Sequence, residues 1–393
     1  MRLLCRLSLL SCLFFLSSCI QPKENSSFPV IDWGNYTSTT IQISDYVDSI
    51  SYIQLDSTVI IPGFSCVHAT DSCFFLGTTE GILKYNHCGK FLHKIGNIGQ
   101  GPGEYTRGQN KFSLDTKKQQ IYVYNYPDRI MTFTFDGEYL GQVEIKHSEI
   151  DCIPAGFHFI NGSFYFFHFF IGGEDQPYLW EVIDADGKRR SFKRDYNTRW
   201  TKDEQVLPFH GGFIFYIWQN NSALYWNHVN DTIYRVSEKE QKPVYLWAKN
   251  PLRLSKKYVE NTKFLSPYRI VETNNYLFIQ WFVNWKDRLP NGGFTLDIYN
   301  CIYDKSSETL IGTKGDYFTD DINGGCLGGV HHYVVIQGKE YIGTIVLPKK
   351  LIDALMKANT PKSRSLATNI DKDGNPILVL MRMRNSTGVH LPM

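Results

Sequence analysis

Short apolar runs separated by turn residues follow one another along the chain from Val30 onward. The runs are rich in β-branched and aromatic residues, a composition typical of β-strands, and helical periodicity is almost absent. Three runs, 164–171, 213–218 and 277–285, are apolar at successive positions, so both faces of those strands are expected to be buried. The pattern predicts an all-β protein.

One segment, residues 348–359, departs from the strand pattern. It opens with Pro348, which suits the first turn of a helix. Its apolar residues recur at helical spacing and share one face: Leu351, Ile352, Leu355 and Ala358. We therefore predict one short C-terminal surface helix.

A repeat runs through the strand pattern. Gly89, Gly137 and Gly187 each lie in the turn of a similar hairpin, at intervals of 48 and 50 residues. Two further hairpins are expected to turn near residues 237–238 and 305–307. A period of this length is typical of a propeller blade. The sequence predicts a six-bladed β-propeller of four-stranded antiparallel blades, folded as a monomeric ring, with a large two-sheet sandwich as the alternative.

The sixth blade is expected to combine strands from both ends of the chain, because closing the ring removes the open sheet edges. Its amino-terminal strand is predicted at 39–44, and its C-terminal strands at 333–337 and 377–383. A ring closed in this way is a single domain, which we place at residues 30–393.

The amino terminus is predicted to be a lipoprotein signal peptide. Residues 1–18 contain Arg2 and Arg6 and an apolar run of about ten residues, half of the roughly 20 that a membrane-spanning helix needs. The run ends in Leu16-Ser17-Ser18-Cys19, which resembles the bacterial lipobox. We predict cleavage after residue 18, lipidation of Cys19 and a flexible tether at 19–29; the alternative is an ordinary secretory signal.

Charge argues against nucleic acid as a partner. Lys plus Arg total 41 and Asp plus Glu total 39; removal of residues 1–18 takes away Arg2 and Arg6 and leaves 39 of each. A formally neutral chain without a basic cluster in its sequence lacks the clustered positive charge that phosphate backbones require. The membrane is expected to be reached through the lipid anchor instead.

Six cysteines remain in the predicted mature chain besides Cys19: Cys66, Cys73, Cys88, Cys152, Cys301 and Cys326. Cys66 and Cys73 flank a predicted turn and could face each other across a hairpin. Because a chain of this length can bury a core without cross-links, free thiols are the favoured interpretation and disulfides the alternative. The spacing fits no zinc site.

Two motifs resemble those of a known family. Residues 120–124, followed by Arg129, Phe133 and Gly137, resemble one NHL-type propeller repeat. The glycine-rich stretch after residue 95 is similar to the inter-blade signature of six-bladed β-propeller lipoproteins common in Bacteroidetes: Gly96, Gly99, Gly101, Pro102, Gly103, Glu104 and Tyr105. The resemblance implies the propeller fold and an outer-membrane lipoprotein, periplasmic or surface-exposed, but no established reaction.

The same glycine-rich stretch is a poor match to a phosphate-binding loop, because no Gly-Lys-Ser/Thr follows and no helix is predicted after it. We interpret it as a tight crossover between blades, held in place by Glu104 and Tyr105.

Several other side chains are candidates for ligands. An oxygen-rich loop contains Asp316, Asp320, Asp321 and Asn323 and could hold Ca²⁺. A solvated acidic loop is the favoured interpretation, and no other cofactor is expected.

His331 and His332 are adjacent, so on a strand they point to opposite faces, and we expect one in the core and one on the surface. Trp200 and Trp285, next to Arg199 and Lys286, are candidates for stacking on sugar rings, whereas Trp226 and Trp281 are expected in cores.

Three functions fit these observations. The first is a non-enzymatic, lipid-anchored module that binds a glycan, peptide or envelope protein on one face of its ring. The second is a carbohydrate hydrolase or lyase with a site built from loops; a buried cluster of ionisable groups with perturbed pKa values would favour it. The third is a structural subunit of an envelope complex, which predicts a large exposed apolar patch. The sequence contains no familiar serine-nucleophile or zinc-protease signature.

Overall fold

The computed structural model describes residues 28–32, 37–61, 63–106, 111–145, 154–168, 178–194, 218–219, 222–226, 231–248, 264–288, 294–315 and 317–384. Within them the chain forms six mostly antiparallel sheets of four or five strands, which are the blades of a six-bladed β-propeller. The predicted fold class is confirmed. No helix among these residues is long and apolar enough to span a bilayer.

The first half of the chain contains an amino-terminal segment and three blades. The segment consists of β1 (Val30–Asp32), β2 (Thr37–Ser38), a 3-10 helix (Ile43–Asp45) and β3 (Val47–Gln54). Blade 1 consists of β4 (Phe64–Ala69), β5 (Cys73–Thr78), β6 (Gly81–Asn86) and β7 (Phe91–Ile95). After β8 (Asn97–Ile98) and β9 (Glu104–Tyr105), blade 2 consists of β10 (Lys111–Asp115), β11 (Gln120–Asn125), β12 (Arg129–Thr134) and β13 (Tyr139–Glu144). Blade 3 consists of β14 (Pro154–Ile160), β15 (Ser163–His168), β16 (Tyr178–Asp184) and β17 (Arg189–Arg194).

The second half contains the other three blades and two helices. Blade 4 is built on β18 (Trp218–Gln219), β19 (Ser222–Tyr225), β20 (Thr232–Val236) and β21 (Gln241–Ala248). Blade 5 is built on β22 (Phe264–Glu272), β23 (Tyr276–Arg288), β24 (Phe294–Asp304) and β25 (Thr309–Lys314), and is followed by β26 (Tyr317–Thr319) and β27 (Cys326–Gly328). Blade 6 contains β28 (His332–Ile336), β29 (Lys339–Val346) and β30 (Ile377–Met383), with α1 (Pro348–Ala358) and α2 (Pro361–Thr368) between the last two strands.

The first strand of each blade lies at the inner edge of the ring. First strands of different blades contact one another, as in the pairs β10 with β14, β4 with β28 and β22 with β28. The second strands β5 and β15 are buried along their whole length, whereas the last strands β13 and β17 are largely exposed. The prediction of strands buried on both faces is therefore confirmed for residues 164–168 of β15, and likewise for residues 277–281 of β23, whereas 213–217 lie outside the described residues.

Strands from the two chain ends close the ring. β3 pairs antiparallel with β30, from Val47 opposite Met383 to Gln54 opposite Ile377. The composite sixth blade is thus confirmed, but its amino-terminal strand is residues 47–54, so the prediction of 39–44 is wrong. Residues 39–44 form only a single bridge, between Gln42 and Thr319, and the start of the 3-10 helix, because the chain turns at Ile43 to pack Ile41 and Ile43 in an apolar core.

The amino-terminal segment also covers the outer edges of two blades. β1 pairs parallel with β21, and β2 pairs parallel with β25, so these two sheets have five strands where four were predicted. The Leu246 amide donates to the carbonyl oxygen of Pro29 at 3.0 Å, and the Thr39 amide donates to that of Gly312 at 2.9 Å. Paired edges of this kind cannot recruit a strand from another molecule.

The repeated glycines of the sequence mark one contact between neighbouring blades. Gly89, Gly137 and Gly187 have φ angles of 81°, 89° and 80°, a region that favours glycine. A Cβ atom at each would strike a backbone oxygen on the outer strand of the preceding blade: that of Gln54, Lys94 or Glu144. The glycine therefore serves both the turn and the blade contact, which explains the period.

Aromatic side chains fill the layers between blades. Tyr124 of blade 2 meets Phe166 of blade 3 edge to face, with ring centroids 5.2 Å apart. Trp247 of blade 4 meets Trp281 of blade 5 at 5.1 Å, and Trp226 packs beside them at 5.1 Å from Trp247. All three tryptophans are at most 3% exposed, so the expectation that Trp226 and Trp281 lie in cores is confirmed.

The predicted helix is confirmed as α1, which begins at Pro348 and buries Leu351 and Leu355. A second helix, α2, was not predicted. It begins with a capping box in which Thr360 and Ser363 exchange side-chain and backbone hydrogen bonds. Its eight residues contain too few apolar positions to produce a helical period in the sequence.

A buried carboxylate joins blades 4 and 5. Glu272 is 2% exposed and accepts two hydrogen bonds from Arg235, at 3.0 and 2.9 Å, and one from Tyr245 at 3.1 Å, all across the blade interface. From its own blade, Lys305 Nζ donates to the same carboxylate at 2.7 Å. The cluster fixes the relative position of the two blades through charge-assisted bonds.

We expect Glu272→Gln to lower the free energy of unfolding by about 2 kcal/mol, because Arg235 and Lys305 would keep their charges without a carboxylate. Urea unfolding measures the loss. The matched control is Glu240→Gln, which breaks an exposed pair with Lys242 and is expected to cost less than about 0.5 kcal/mol. Equal losses in the two variants would show that the interface cluster contributes no more than a surface ion pair.

Candidate functional site

Basic and imidazole side chains converge on the central channel of the ring. They come from the inner strands of blades 1, 2, 3, 5 and 6, or from the residue just before such a strand: His68, Lys111, His158, Arg269, His331 and His332. Each of these residues is partly exposed as a whole, but the Nε2 atoms of His158 and His332 are buried. We define these six residues as the channel cluster.

Acidic side chains on the same described strands are placed elsewhere. Asp115 ends β10, where its Oδ1 accepts the backbone amides of Lys117 and Lys118 at 3.0 and 3.1 Å. Glu272 ends β22 and belongs to the cluster between blades 4 and 5. Among the described first-strand residues, the middle of the channel is therefore lined by basic and neutral groups.

Contacts between blades hold the channel cluster in position. The ring of His68 in blade 1 packs on Phe112 in blade 2, with centroids 4.7 Å apart. The Phe159 amide in blade 3 donates to Ser113 Oγ in blade 2 at 2.9 Å. In blade 6 the rings of His331 and His332 stand nearly perpendicular, 6.2 Å apart. Because strands and not loops carry these groups, their positions are set by the ring itself.

Burial keeps the imidazoles of the channel cluster neutral. Burial lowers the pKa of His68 to about 4. Burial, and then the neighbouring His68, lower the pKa of His158 to about 3. Burial, and then the charge of Arg269, lower the pKa of His331 to about 3, and that of His332 falls well below its usual value for the same reasons. Burial lowers the pKa of Lys111 to about 8. At neutral pH the fixed charge of the cluster therefore comes from Arg269, and in part from Lys111.

This arrangement suits hydrogen bonding and charge recognition more than metal binding. A neutral imidazole has one donor and one acceptor nitrogen, and the Arg269 guanidinium adds five N–H donors in a planar fork. Among the residues that the structure describes, no group of three or more His, Cys, Asp or Glu side chains is placed to hold a metal ion.

The expectation for His331 and His332, one in the core and one on the surface, is wrong, since both are half-buried in the channel wall. His68, Lys111, His158 and Arg269 were not predicted from the sequence as site residues. The signal for His68, His158 and Arg269 was their position, because each lies in the first strand of its repeat, one to three residues before the last residue of that strand. Aligning the repeats by their first strands would have brought them together.

The glycine-rich stretch joins blade 1 to blade 2. Its two short strands, β8 and β9, pair parallel. The Gly101 amide donates to Glu104 Oε2 at 2.8 Å, and a Cβ atom on Gly99 would strike the same carboxylate. Gly103 has φ 77° and lies against Tyr139, while Pro102 is exposed.

Tyr105 anchors this crossover in the core. Its hydroxyl donates to the Ile95 carbonyl oxygen at 2.8 Å and accepts the Ile82 amide at 3.0 Å, and burial raises its pKa to about 12. Gly96 has φ 61°, and a Cβ atom there would lie 2.7 Å from the ring of Phe133. The stretch has the geometry of a structural crossover, with Glu104 and Tyr105 in the positions expected of them.

The oxygen-rich loop fastens the amino-terminal segment. Asp320 is 3% exposed and accepts the backbone amides of Ile322, Asn323 and Gly325 at 3.1, 2.9 and 3.1 Å. It also accepts the Tyr52 hydroxyl of β3. Both oxygens of this carboxylate are thus engaged with protein donors.

Asp321 makes a second attachment, since it accepts the Ser44 amide at 3.1 Å and the Ser44 hydroxyl. Asn323 is buried with the loop, whereas Asp316 lies outside the described residues. The described part of the loop therefore uses its oxygens to hold the chain segment that closes the ring.

Some of the remaining candidates lie outside the described residues, namely Trp200, Cys19 and Cys152. The same is true of the side chain of Trp285. The five described cysteines of the predicted mature chain, Cys66, Cys73, Cys88, Cys301 and Cys326, are free thiols. Cys66 lies opposite Gly77 in the sheet, so it does not face Cys73 across the hairpin as considered above.

A family model matches residues 28–382, nearly all of the ring, and its family is described as a domain of unknown function, DUF4934. The chain belongs to the DUF4934 family. A search of curated proteins finds none that matches this chain. The resemblance to NHL-type lipoproteins stays a prediction.

One solved structure resembles this DUF4934 protein in fold, and two others match it more weakly. A Bacteroides fragilis protein described as exported matches with a TM-score of 0.63 and 16% identity, over 91% of this chain and 100% of its own. BamB from Moraxella catarrhalis matches at 0.41 and 9%, over 85% and 99%. The extracellular domain of a B. thetaiotaomicron protein described as a one-component system matches at 0.36 and 12%, over 76% and 39%. At these identities the likeness concerns the fold alone.

For this DUF4934 protein, we expect Asp320→Asn to lower the free energy of unfolding by about 2 kcal/mol, because an amide cannot replace both acceptor oxygens. Thermal unfolding, with and without added Ca²⁺, measures the effect. Asp373→Asn, at an exposed loop carboxylate, is the matched control and should leave the midpoint unchanged. A Ca²⁺-dependent rise in the midpoint that Asp320→Asn abolishes would contradict the purely structural role of this carboxylate.

Proposed function

We propose that this chain is a lipid-anchored envelope or cell-surface β-propeller that binds a glycan, peptide or partner protein, and that the ligand enters its central channel. The observation that carries the proposal is the channel cluster, in which polar side chains from five blades meet around one axis. Side chains of this kind rarely line a ring interior that has only to be filled. A rigid strand framework also holds them ready to bind, at little cost in conformational entropy.

The location rests on two further observations. The lipobox-like residues at Leu16–Cys19 predict a lipid on Cys19, and the Bacteroides fragilis protein of the same fold is described as exported. Residues 19–29 would then connect the lipid to a ring whose first described contact, between Pro29 and Leu246, lies at the outer edge of blade 4.

A panel of neutral and charged glycans and of peptides, screened by thermal unfolding of the full-length chain in detergent, tests the channel. We expect at least one compound to raise the midpoint, because binding to the folded state stabilises it. The rise should be lost in Arg269→Gln and in His68→Phe. Arg190→Gln, on the exposed outer strand of blade 3, should keep it. A ligand whose effect survives both channel substitutions would place the site elsewhere and contradict the proposal.

The anchor has its own test. We expect Cys19→Ala to abolish incorporation of labelled fatty acid and to release the chain from the membrane fraction, because no thiol remains to carry the lipid. Cys88→Ala, at an exposed thiol of the ring, is the control and should leave both properties unchanged. Membrane association that persists in Cys19→Ala would overturn the lipid anchor.

A carbohydrate-active enzyme is the second candidate, since ionisable groups with perturbed pKa values meet in the channel. His68 and His158 are unprotonated at neutral pH, as a general base must be, but pKa values of about 4 and 3 make them weak bases. Among the described residues the channel wall offers no pair of carboxylates, the usual machinery of glycoside hydrolysis. Abstraction of a proton, as in a lyase, is therefore the favoured reaction class. Turnover of any compound found in the panel, lost in His158→Asn, would establish it.

A further inference from the structure

We propose that the pair of helices in blade 6 is a second membrane contact, which holds the ring against a surface of anionic lipid headgroups. We define these helices and the residue before them, 347–370, as the helical lobe. The segment after it, 371–376, returns the chain to β30. The inference goes beyond the ligand-binding channel and uses only one part of the proposed function, the lipid anchor that brings the lobe close to a membrane.

The helical lobe is a large addition for its place in the fold. It lies in the connection between the second and third strands of blade 6, residues 347–376. The same connection takes only residues 79–80 in blade 1, 126–128 in blade 2 and 289–293 in blade 5. Because β29 and β30 pair directly, from Val346 opposite Ile377, a short turn would also join them. Segments added to a rigid scaffold in this way commonly carry a binding function.

One face of the helical lobe fastens it to the ring. Leu351 and Leu355 of α1 are buried in an apolar core shared with the strands of blade 6. Ala358 lies against Gly324, where a Cβ atom on the glycine would collide with its side chain. α2 contacts α1 and buries Ala367. The opposite face of the lobe is therefore turned away from the ring and held in a fixed position.

The outward face of the helical lobe is basic. The lobe contains five basic residues and one acid, a formal charge of +4, so the remainder of the predicted mature chain, which is neutral as a whole, has a formal charge of −4. The five basic residues are all exposed: Lys349, Lys350, Lys357, Lys362 and Arg364. The acid, Asp353, lies about one turn from Lys349 and from Lys357, but it forms no ion pair with either of these described lysines. The neutral chain thus presents a basic surface in one place.

Two exposed apolar side chains lie among these lysines. Leu347, just before α1, is 59% exposed, and Met356, near its other end, is 51% exposed. Met356 is seven residues from Lys349, so the two lie on the same side of the helix, two turns apart. Apolar groups beside lysines suit a membrane interface, because the apolar group enters the headgroup region while the ammonium groups remain at the phosphates.

The predominance of lysine favours lipid over a protein as the partner. Lysine has a compact, strongly hydrated charge on a flexible stem, whereas arginine matches carboxylates in a fixed planar geometry. Lipid headgroups offer no fixed arrangement, so attraction to them depends on the number of charges near the surface. The single arginine of the lobe, Arg364, donates to Asn359 Oδ1 at 2.8 Å and is thus engaged within the lobe.

A second contact would also set the orientation of the ring. With residues 19–29 as a flexible tether, a lipid on Cys19 alone leaves the ring free to turn above the membrane. Contact through the helical lobe fixes which side of blade 6 faces the lipid. The same end of the central channel then stays open to a ligand.

Acetylation of lysines by acetic anhydride, followed by mass spectrometry, tests the contact on the full-length chain reconstituted in vesicles. Phosphatidylcholine vesicles with and without phosphatidylglycerol differ in charge, and the anchor inserts in both. We expect acetylation of Lys349, Lys357 and Lys362 to slow at least about fivefold on the anionic vesicles, the effect of one basic residue near such a surface. The rates should recover in about 1 M salt, which screens charges beyond about 3 Å. Lys188 and Lys193, exposed at the outer edge of blade 3, should react equally on both vesicles.

Charge variants connect the protection to the outward face. The double variant Lys349→Glu, Lys357→Glu should return the acetylation rate of Lys362 on anionic vesicles to its rate on neutral ones. The matched control, Lys188→Glu with Lys193→Glu, changes the charge of the chain by the same amount and should leave Lys362 protected. Circular dichroism of each variant reports whether the ring is folded.

An apolar variant tests the other half of the surface. Met356→Ser should weaken the protection of the lobe on anionic vesicles, because a serine gains nothing from the headgroup region. Leu140→Ser, at a side chain 47% exposed on the outer strand of blade 2, is the control and should leave the protection unchanged.

Three results would overturn the membrane contact. The first is equal acetylation of the lobe on both kinds of vesicle. The second is equal protection of Lys188 and Lys193, which would show a general attraction of the chain. The third is protection by soluble polyglutamate but not by anionic vesicles, which would indicate an acidic protein partner.

Failure of this inference and failure of the anchor are distinguishable. A chain without lipid on Cys19 whose lobe is still protected on anionic vesicles would contradict the anchor and support the lobe contact. A lipidated chain whose lobe reacts equally on both vesicles would do the reverse. Neither measurement depends on a ligand in the channel.

Discussion

Pairing between β3 and β30 is the interaction on which the rest of this structure depends. It joins residues more than 300 positions apart and supplies the outer strand of blade 6, so that blade 1 can follow blade 6 without a gap. The loop carboxylates Asp320 and Asp321 support it, since they hold Tyr52 and Ser44 on either side of the start of β3. With the ring closed, every inner strand faces the same axis; without closure, the outer edge of β30 would lie open to pairing with another chain.

Contacts between successive blades then fix the diameter and alignment of the ring. Hairpin glycines such as Gly89 and Gly187 rest on the backbone of the preceding blade, where any Cβ atom would collide. Aromatic pairs fill the layers, and the buried Glu272 cluster joins blades 4 and 5 through charged hydrogen bonds. Because these contacts involve backbone atoms and large buried rings, the inner strands have little freedom to move apart.

The channel gains its chemistry from this rigidity. His68, His158 and Arg269 are distant in sequence, and each alone would be an ordinary side chain at the edge of a sheet. Brought around one axis and enclosed by protein, the imidazoles have pKa values well below the usual range, because burial disfavours their charged form. The meeting of these polar groups on a rigid strand framework is the physical basis of the ligand binding that we propose.

The sequence by itself determined the features that depend on local pattern: strands buried on both faces, a blade period marked by Gly89, Gly137 and Gly187, and the amphipathic helix α1. These depend on turn conformation and side-chain spacing within a few residues. Only the tertiary structure decided that β3 rather than residues 39–44 closes the ring, that Asp320 serves Tyr52 rather than standing in a solvated loop, and that His68, His158 and Arg269 share a channel. Each of these depends on groups between about 90 and 330 positions apart, and ring closure, not local propensity, brings them together.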